Sequence, residues 1–462
     1  MDPAPAGTAQ SDHSGMNIII VGAGEIGRHL AASLSREAHC ISVIENDPVL
    51  ADELEQSIDA KVVCSDGTSV SALLEAGVGE CDLFLALTSS NTANLVSSSL
   101  AKNLGAPQVV CRVHPSLQRE EFLFDFKKTF GVDHLFSSER LAAIELAKFI
   151  RNPDSLVVEE IARGRIELQQ VEVDAKSDAV GKALKVLKAP ERTRVAMISR
   201  GSTHLVPNAE SVIEAGDIVT IFGEPRKLKT LAERLHRKGD GDAMRVVIFG
   251  GGEYGFSLAQ MLEGSECRVR IFEEDENLCK SLVDRLSNTT VIHADATVVA
   301  ELQEEQVDSA EFFVATSPRD EDNVMSCLQA HTLGVKTCLS LIHRADYADA
   351  ISSSGKHFGV QAAVSPRDAT RREIERFLTS DRFHLVKKLP GAEILEMRVS
   401  EGSIASGHMV KEVEWPAECI LVGLLHGTHS DVPGPDDVLQ TGDHVYAVVS
   451  PKARKAFVKL LG

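Results

Sequence analysis

Short runs of β-branched and aliphatic residues alternate along the chain with longer stretches whose apolar positions recur at helical spacing. Residues 18–21, 40–44, 61–64, 83–87 and 108–113 read as strands, and 26–35 and 48–58 as helices between them. Strands alternating with helices build βαβ units and hence a parallel, doubly wound sheet. A connecting helix predicted at about 138–150 leads into a different pattern. There 168–173, 195–199 and 218–222 read as strands, 180–187 as a short helix and 225–235 as a closing helix, together a smaller α+β module. Gly216-Asp217 sits where a tight turn must precede a strand, and glycine tolerates positive φ there.

The whole pattern occurs twice. NIIIVGAGEIGRHLA from position 17 returns as RVVIFGGGEYGFSLA from 245, and the pairs Gly22/Gly250 and Glu45/Glu273 are each 228 residues apart. Asp66/Asp295 and Gly105/Gly334 are 229 apart, and Thr88/Thr316 again 228. The tails repeat too, with Gly181/Gly407 and Gly216-Asp217/Gly442-Asp443 spaced by 226. An offset held so closely over such a span marks a duplication. The expected organisation is a tail at 1–15, a doubly wound module at 16–150, a small module at 151–238, a second doubly wound module at 239–379 and a second small module at 380–462. Residues 237–243 (RKGDGDA) form the linker, and 367–378 the counterpart of the connecting helix.

Gly22-x-Gly24-x-x-Gly27 directly follows a predicted strand and opens a predicted helix, which is the context a dinucleotide site requires. The first glycine permits the tight turn, the second lets the backbone approach a pyrophosphate, and the third lets helix and strand pack closely. Backbone N–H groups from about Ala23 through Glu25 to Ile26, at the helix N-terminus, offer an anion site. Glu45 ends the second strand, where a carboxylate accepts hydrogen bonds from a ribose diol. Asn46 and Asp47 follow with no arginine beside them, so NAD or an adenine nucleotide is favoured over NADP. The second half repeats the set as Gly250, Gly251, Gly252, Glu253, Tyr254, Gly255 and Glu273. Its blander reading is a fold retained around a decayed site.

Composition narrows the partners. With 462 residues, 43% apolar and 25% charged, each module can bury an ordinary core. The net charge of −20 argues against a nucleic-acid footprint and against direct binding to anionic lipid. The longest uncharged run, 83–101, carries nine Ser, Thr and Asn residues and is too polar to span a bilayer, so any membrane association goes through a partner. Nine scattered cysteines without a Cys-x-x-Cys suggest reduced, cytosolic, largely buried thiols and no metal site. Residues 1–15 lack a basic start and an apolar run, which predicts a disordered tail rather than a signal peptide, with Met16 as functional start.

The order GAGEIG, VIEND, CSDG, LALTSSNTANL, VVCRV resembles the RCK (KTN) modules of potassium-transport regulators. Two such modules, each followed by a small one, resemble the regulatory subunits of Trk-type bacterial potassium-uptake systems over about residues 16–462. The resemblance implies two tandem Rossmann-like (RCK N-terminal) domains, each with a small α+β RCK C-terminal domain. It implies NAD(H), or ADP or ATP, as ligand and a membrane potassium-translocating subunit as partner. It further implies a homotetramer paired through the helices after the sheets, where Leu141, Ile144, Ala147 and Phe149 are apolar, at the cytoplasmic face of the membrane. Such a subunit gates its partner and catalyses nothing.

Residue by residue, the resemblance puts Asp66 and Asp295 near the adenosine. It puts Thr88-Ser89 and Thr316-Ser317 beside the nicotinamide-side ribose or the phosphates, and has Arg112 reach the nucleotide. Asn91-Thr92 departs from the family's acidic pair, which Asp320-Glu321 keeps. Leu341 stands where the first half has Arg112, with Arg344 three residues on as a possible substitute, so the first site is expected to be the stronger. Glu25 and Glu253 stand where some relatives carry an arginine for a terminal phosphate, which speaks against a triphosphate. His114 and His343 read as strand-end caps rather than pH sensors, and 367–376 as a solvated, salt-bridged helix face. The alternatives are an NAD-dependent oxidoreductase, for which the repeat leaves no unduplicated catalytic block, and an RCK regulator of another channel or antiporter.

Overall fold

The computed structural model of the chain describes residues 15–462 except 38, 122, 153–154, 162–165, 188, 202, 237–242, 264–266, 345–346, 349–350, 352–358, 376, 379–383, 390 and 427–428. The tail expected at 1–15 and the linker at 237–243 fall almost wholly outside the described residues.

The first large module runs β1 (Asn17–Val21), α1 (Glu25–Arg36), β2 (Cys40–Glu45), α2 (Pro48–Ser57), β3 (Lys61–Cys64), α3 (Val70–Ala76), β4 (Leu83–Ala86), α4 (Asn91–Asn103), β5 (Val109–Arg112), α5 (Pro115–Arg119), α6 (Phe126–Phe130), β6 (His134–Phe136) and α7 (Ser138–Arg151). Its strands lie in the order β3-β2-β1-β4-β5-β6, all parallel. Ile19, Val21 and Phe84 face one helical layer, and Ile18, Ile20, Leu83 and Leu85 the other. Burial on both faces is why these strands are unbroken apolar runs rather than alternating ones.

The small module that follows contains β7 (Ser155–Ile161), β8 (Ile166–Glu172), β9 (Thr193–Arg200), β10 (Thr203–Leu205), β11 (Ile218–Gly223) and α8 (Pro225–Leu235). The second large module has β12 (Met244–Phe249), α9 (Glu253–Glu263), β13 (Cys267–Glu273), α10 (Glu276–Arg285), β14 (Thr289–His293), α11 (Val299–Glu304), β15 (Phe312–Ala315), α12 (Asp320–Leu333), β16 (Thr337–Leu341), β17 (Val360–Val364) and α13 (Pro366–Glu375). Its order, β14-β13-β12-β15-β16-β17, repeats the first. The second small module has β18 (His384–Leu389), β19 (Ala392–Arg398), β20 (Cys419–His426), β21 (His429–Asp431), β22 (His444–Val449) and α14 (Arg454–Leu461).

The modules fall into two compact units that group like with like: 1–147 with 243–378, and 148–242 with 379–462. In the first unit, α13 of the second large module lies against α1 of the first. Ile374 enters the same core as Leu30 and Leu34, which Leu141 of α7 also joins. Arg371 pairs with Glu37 at 2.9 Å, and His134 meets the buried Glu373 at 2.7 Å. On α7, Ala147 is buried, whereas Ile144 and Phe149 are half-buried. In the second unit, the antiparallel sheets β10-β9-β11-β8-β7 and β18-β19-β22-β20-β21 share one core, with Ile166, Met197 and Phe222 against Ile394, Val422 and Tyr446.

The helix predicted at 180–187 is not there. Gly181 takes φ +76°, Ala183 bridges to Val212, and only one 3-10 turn, Leu184–Val186, forms. Gly216 does adopt the expected positive φ, +79°. Among the described residues no helix is long and apolar enough to cross a membrane.

Candidate nucleotide site

Val21 is level with Ile44 on one side and Ala86 on the other. Gly22, Glu45 and Thr88 therefore leave the sheet together at the carboxyl edge, where the strand order reverses and doubly wound sheets bind ligands. A cavity of about 470 Å³ opens there, a size suited to a nucleotide. It gathers Gly22, Gly24, Glu25, Ile26, Glu45, Asp66, Thr88, Ser89 and Arg112, nine of the first-half residues singled out from sequence. Gly22 has φ +97°, which only glycine adopts cheaply. A Cβ on Gly27 would stand 1.9 Å from the Gly22 carbonyl oxygen, whereas one on Gly24 would meet nothing within 4 Å. Gly27 thus allows the helix to pack, and Gly24 leaves the space a phosphate needs.

Glu45, expected as a ribose acceptor, is already engaged by the backbone. It is buried, and its carboxylate accepts from the backbone N–H of Ala23 at 2.5 Å and of Asp47 at 2.9 Å. The Ala23 N–H is thereby used, so the expected anion cradle shortens by one donor. Among the described residues no acceptor takes the N–H groups of Gly24, Glu25 and Ile26. Each Glu45 oxygen keeps a further lone pair for a ribose hydroxyl.

Asp66 accepts from both the N–H and the hydroxyl of Thr68 at 2.8 Å, and these bonds hold its carboxyl below the usual range. Thr88 is fixed by Asn94, which accepts from its N–H and hydroxyl and donates to the carbonyls of Thr88 and Arg112. Asn94, inside the LALTSSNTANL run but not singled out there, is a buried hub. Arg112 reaches the cavity but is paired with Glu139 at 3.0 Å, so its charge is shared rather than free.

Four lining residues come from the second large module: Tyr254, His343, Pro366 and Arg367. Tyr254, assigned from sequence to the second glycine turn, stands edge-on to His343 at 5.6 Å and lines the first cavity. Burial, with Glu139 and Glu25 nearby, raises its phenol and keeps it protonated, against the pull of Arg112. His343 is held by Asp320, while its counterpart His114 caps the short helix α5. Arg367, expected on a solvated face, is largely buried and pairs with the exposed Glu25 at 3.0 Å.

The second glycine turn is built alike. Gly250 has φ +95°, and Glu273 accepts from the N–H of Gly251 at 2.7 Å and of Asp275 at 2.9 Å. A Cβ on Gly255 would stand 1.9 Å from the Gly250 carbonyl oxygen, and Gly252 again faces open space. Asp295 accepts from Thr297 as Asp66 does from Thr68. Thr316 is a correction. Asn323 fixes Ser317, as Asn94 fixes Thr88, so Ser317 is the true equivalent. Thr316 takes the place of Leu87, buried beneath the turn with its hydroxyl donating to the Phe249 and Gly250 carbonyls. Glu253 is tied to Arg119 and Arg285, and Arg344 stacks on Tyr347 at 4.0 Å.

The TrkA-N domain model matches residues 18–138 and 246–366, and the TrkA-C domain model 168–236 and 394–462. The Trk system potassium uptake protein TrkA of Halomonas elongata is 30% identical over 453 residues, 95% of this chain and 97% of that one. Its namesake from Haemophilus influenzae is 30% identical over 452 residues, 95% and 96% of the two chains. Among solved structures, the GsuK RCK domain superposes with a TM-score of 0.59 at 17% identity, covering 97% of this chain and 96% of that one. The GsuK channel bound to NAD superposes with a TM-score of 0.60 at 17% identity, over 97% and 79%. At that identity the structures speak for the fold: tandem Rossmann-like domains, each with a small antiparallel-sheet domain. The alternating pair of domain matches and the end-to-end relatives together show that the chain belongs to the TrkA family.

Proposed function

We propose that the chain is the nucleotide-sensing regulatory subunit of a Trk-type potassium-uptake system, and that it performs no catalysis. It works at the cytoplasmic face of the membrane, docked as a homotetramer on a potassium-translocating partner. The observation that carries the reading is the make-up of the first cavity: a glycine turn and ribose acid from one large module, closed by Tyr254, His343, Pro366 and Arg367 of the other. A ligand there touches both modules, so its affinity depends on their arrangement. Such differential affinity is what a ligand needs to shift an equilibrium between arrangements. NAD(H) is the favoured ligand, with ADP or ATP as alternatives, and the second turn is a weaker site. Support comes from relatives named as potassium uptake proteins and from the NAD-bound state of the structurally similar GsuK channel.

Two measurements test this. Calorimetry should show NADH binding that Gly24→Asp, a carboxylate placed in the open phosphate cradle, removes from the first site. No binding of NADH, NAD, ADP or ATP overturns the nucleotide reading. Potassium uptake should be restored when the chain is supplied with its membrane partner to cells lacking their own regulatory subunit; no restoration overturns the transport reading. A monomer by light scattering overturns the tetramer.

A further inference from the structure

Positions 139 and 367 are equivalent in the two halves, each the second residue of the helix that follows the sheet, yet one is Glu and the other Arg. Helix N-termini carry partial positive charge and favour acids. Glu139 obeys that rule and Arg367 breaks it, so something negative must hold the guanidinium in place. Glu25 does so, but weakly: its side chain is 60% exposed, where an ion pair contributes little. The Arg367 side chain is only 16% exposed, and its Nε–H is shut away from solvent without an acceptor among the described residues. A buried donor left unmatched is costly and rare. Arg367 also lines the first cavity beside Gly24 and Glu25, where the free backbone N–H groups point to a phosphate.

We propose that Arg367, supplied by the second large module, is the phosphate-binding cation of the first site. Glu25 is then a carboxylate placeholder, displaced into solvent when the pyrophosphate of a dinucleotide arrives. Guanidinium and pyrophosphate match as a forked, charge-assisted pair, and the exposed position of Glu25 lets it leave at small cost. This rests on the nucleotide reading of the first cavity and goes beyond it by assigning the phosphate to a residue of the other module.

The test is calorimetry on the full chain carrying Gly252→Asp, which blocks the second turn in open space. NADH is compared with adenosine, which lacks phosphate. Arg367→Ala should weaken NADH roughly tenfold or more while leaving adenosine unchanged, as expected for loss of a charged hydrogen-bond partner. Glu25→Gln, which removes the competing charge, should tighten NADH severalfold, and it carries the test if Arg367→Ala fails to fold. Unchanged NADH affinity in both variants, or equal losses for NADH and adenosine, overturns the proposal and leaves the nucleotide reading standing. If the parent protein binds neither probe, both fall.

Discussion

Replacing Glu45 should destabilise the protein before any ligand is added. Its buried carboxylate takes the Ala23 N–H at 2.5 Å and the Asp47 N–H at 2.9 Å, so it braces the glycine turn from beneath. Hydrogen bonds to a charged group contribute about 1.5–3 kcal/mol each. In Glu45→Ala the exposed Asp47 can turn to water, but the Ala23 N–H is left buried in a fully enclosed residue. The expected loss is therefore about 2–3 kcal/mol, nearly all from the Ala23 side. Glu45→Gln keeps one acceptor oxygen but turns an NH₂ toward the other donor, so about half that loss is expected. Urea unfolding followed by circular dichroism, without nucleotide, gives the stabilities. Hydrogen exchange reports protection at residues 22–26. A Glu45→Ala protein with the stability and turn protection of the parent would refute the reasoning and make Glu45 a ligand group only.

Gly27→Ala should prevent the first large module from folding, because its Cβ meets backbone at 1.9 Å, whereas Gly24→Ala should keep the parent's melting temperature and lose NADH affinity at the first site. Thr316→Val removes a hydroxyl that donates to two carbonyls and should cost about 1–2 kcal/mol in urea without changing first-site NADH binding. NADH should bind the first site more tightly than NADPH by calorimetry, since Glu45 meets the 2′-phosphate with its own charge. Burial lowers His29 below its ordinary value of about 6.5, with Arg367, Arg371 and Arg36 adding to the effect and Asp368 opposing it. Its folded pKa lies below the unfolded one, so the α1–α13 contact should hold above about pH 6.5 and loosen as pH falls below it. Hydrogen exchange in α13 at two pH values, with and without His29→Gln, measures this.

The glycine turns and the acids ending β2 and β13 were legible because each depends on local backbone chemistry that only a few residue types satisfy. The parallel sheets were legible because burial on both faces writes itself as unbroken apolar runs. The helix expected at 180–187 failed because periodicity hid Gly181, whose positive φ stops a helix from propagating. Thr316 was placed one residue out because the spacing between halves changes from 228 to 229 between Glu45 and Asp66, and no side chain marks where. The hydrogen bonds of Asn94 and Asn323 mark it in space. That Tyr254 also lines the first cavity, and that Arg367 is largely buried rather than solvated, was not legible for a deeper reason. Tyr254 meets Glu139 and Arg112 from the other large module, and Arg367 meets Glu25 from more than three hundred positions away; pattern along the chain carries no record of what packs across it.

The unlike pair at 139 and 367 has one more consequence. A homodimer of a single module has to repeat every substitution at two symmetry-related places. Two copies joined in one chain are released from that rule, so one pocket has Arg112 and Arg367 within reach while the matching positions around the other turn hold Leu341 and Glu139. In a symmetric dimer the two singly occupied states are the same state counted twice. Here, on the proposed reading of the two turns, they are different species with different energies, so partial occupancy has a direction.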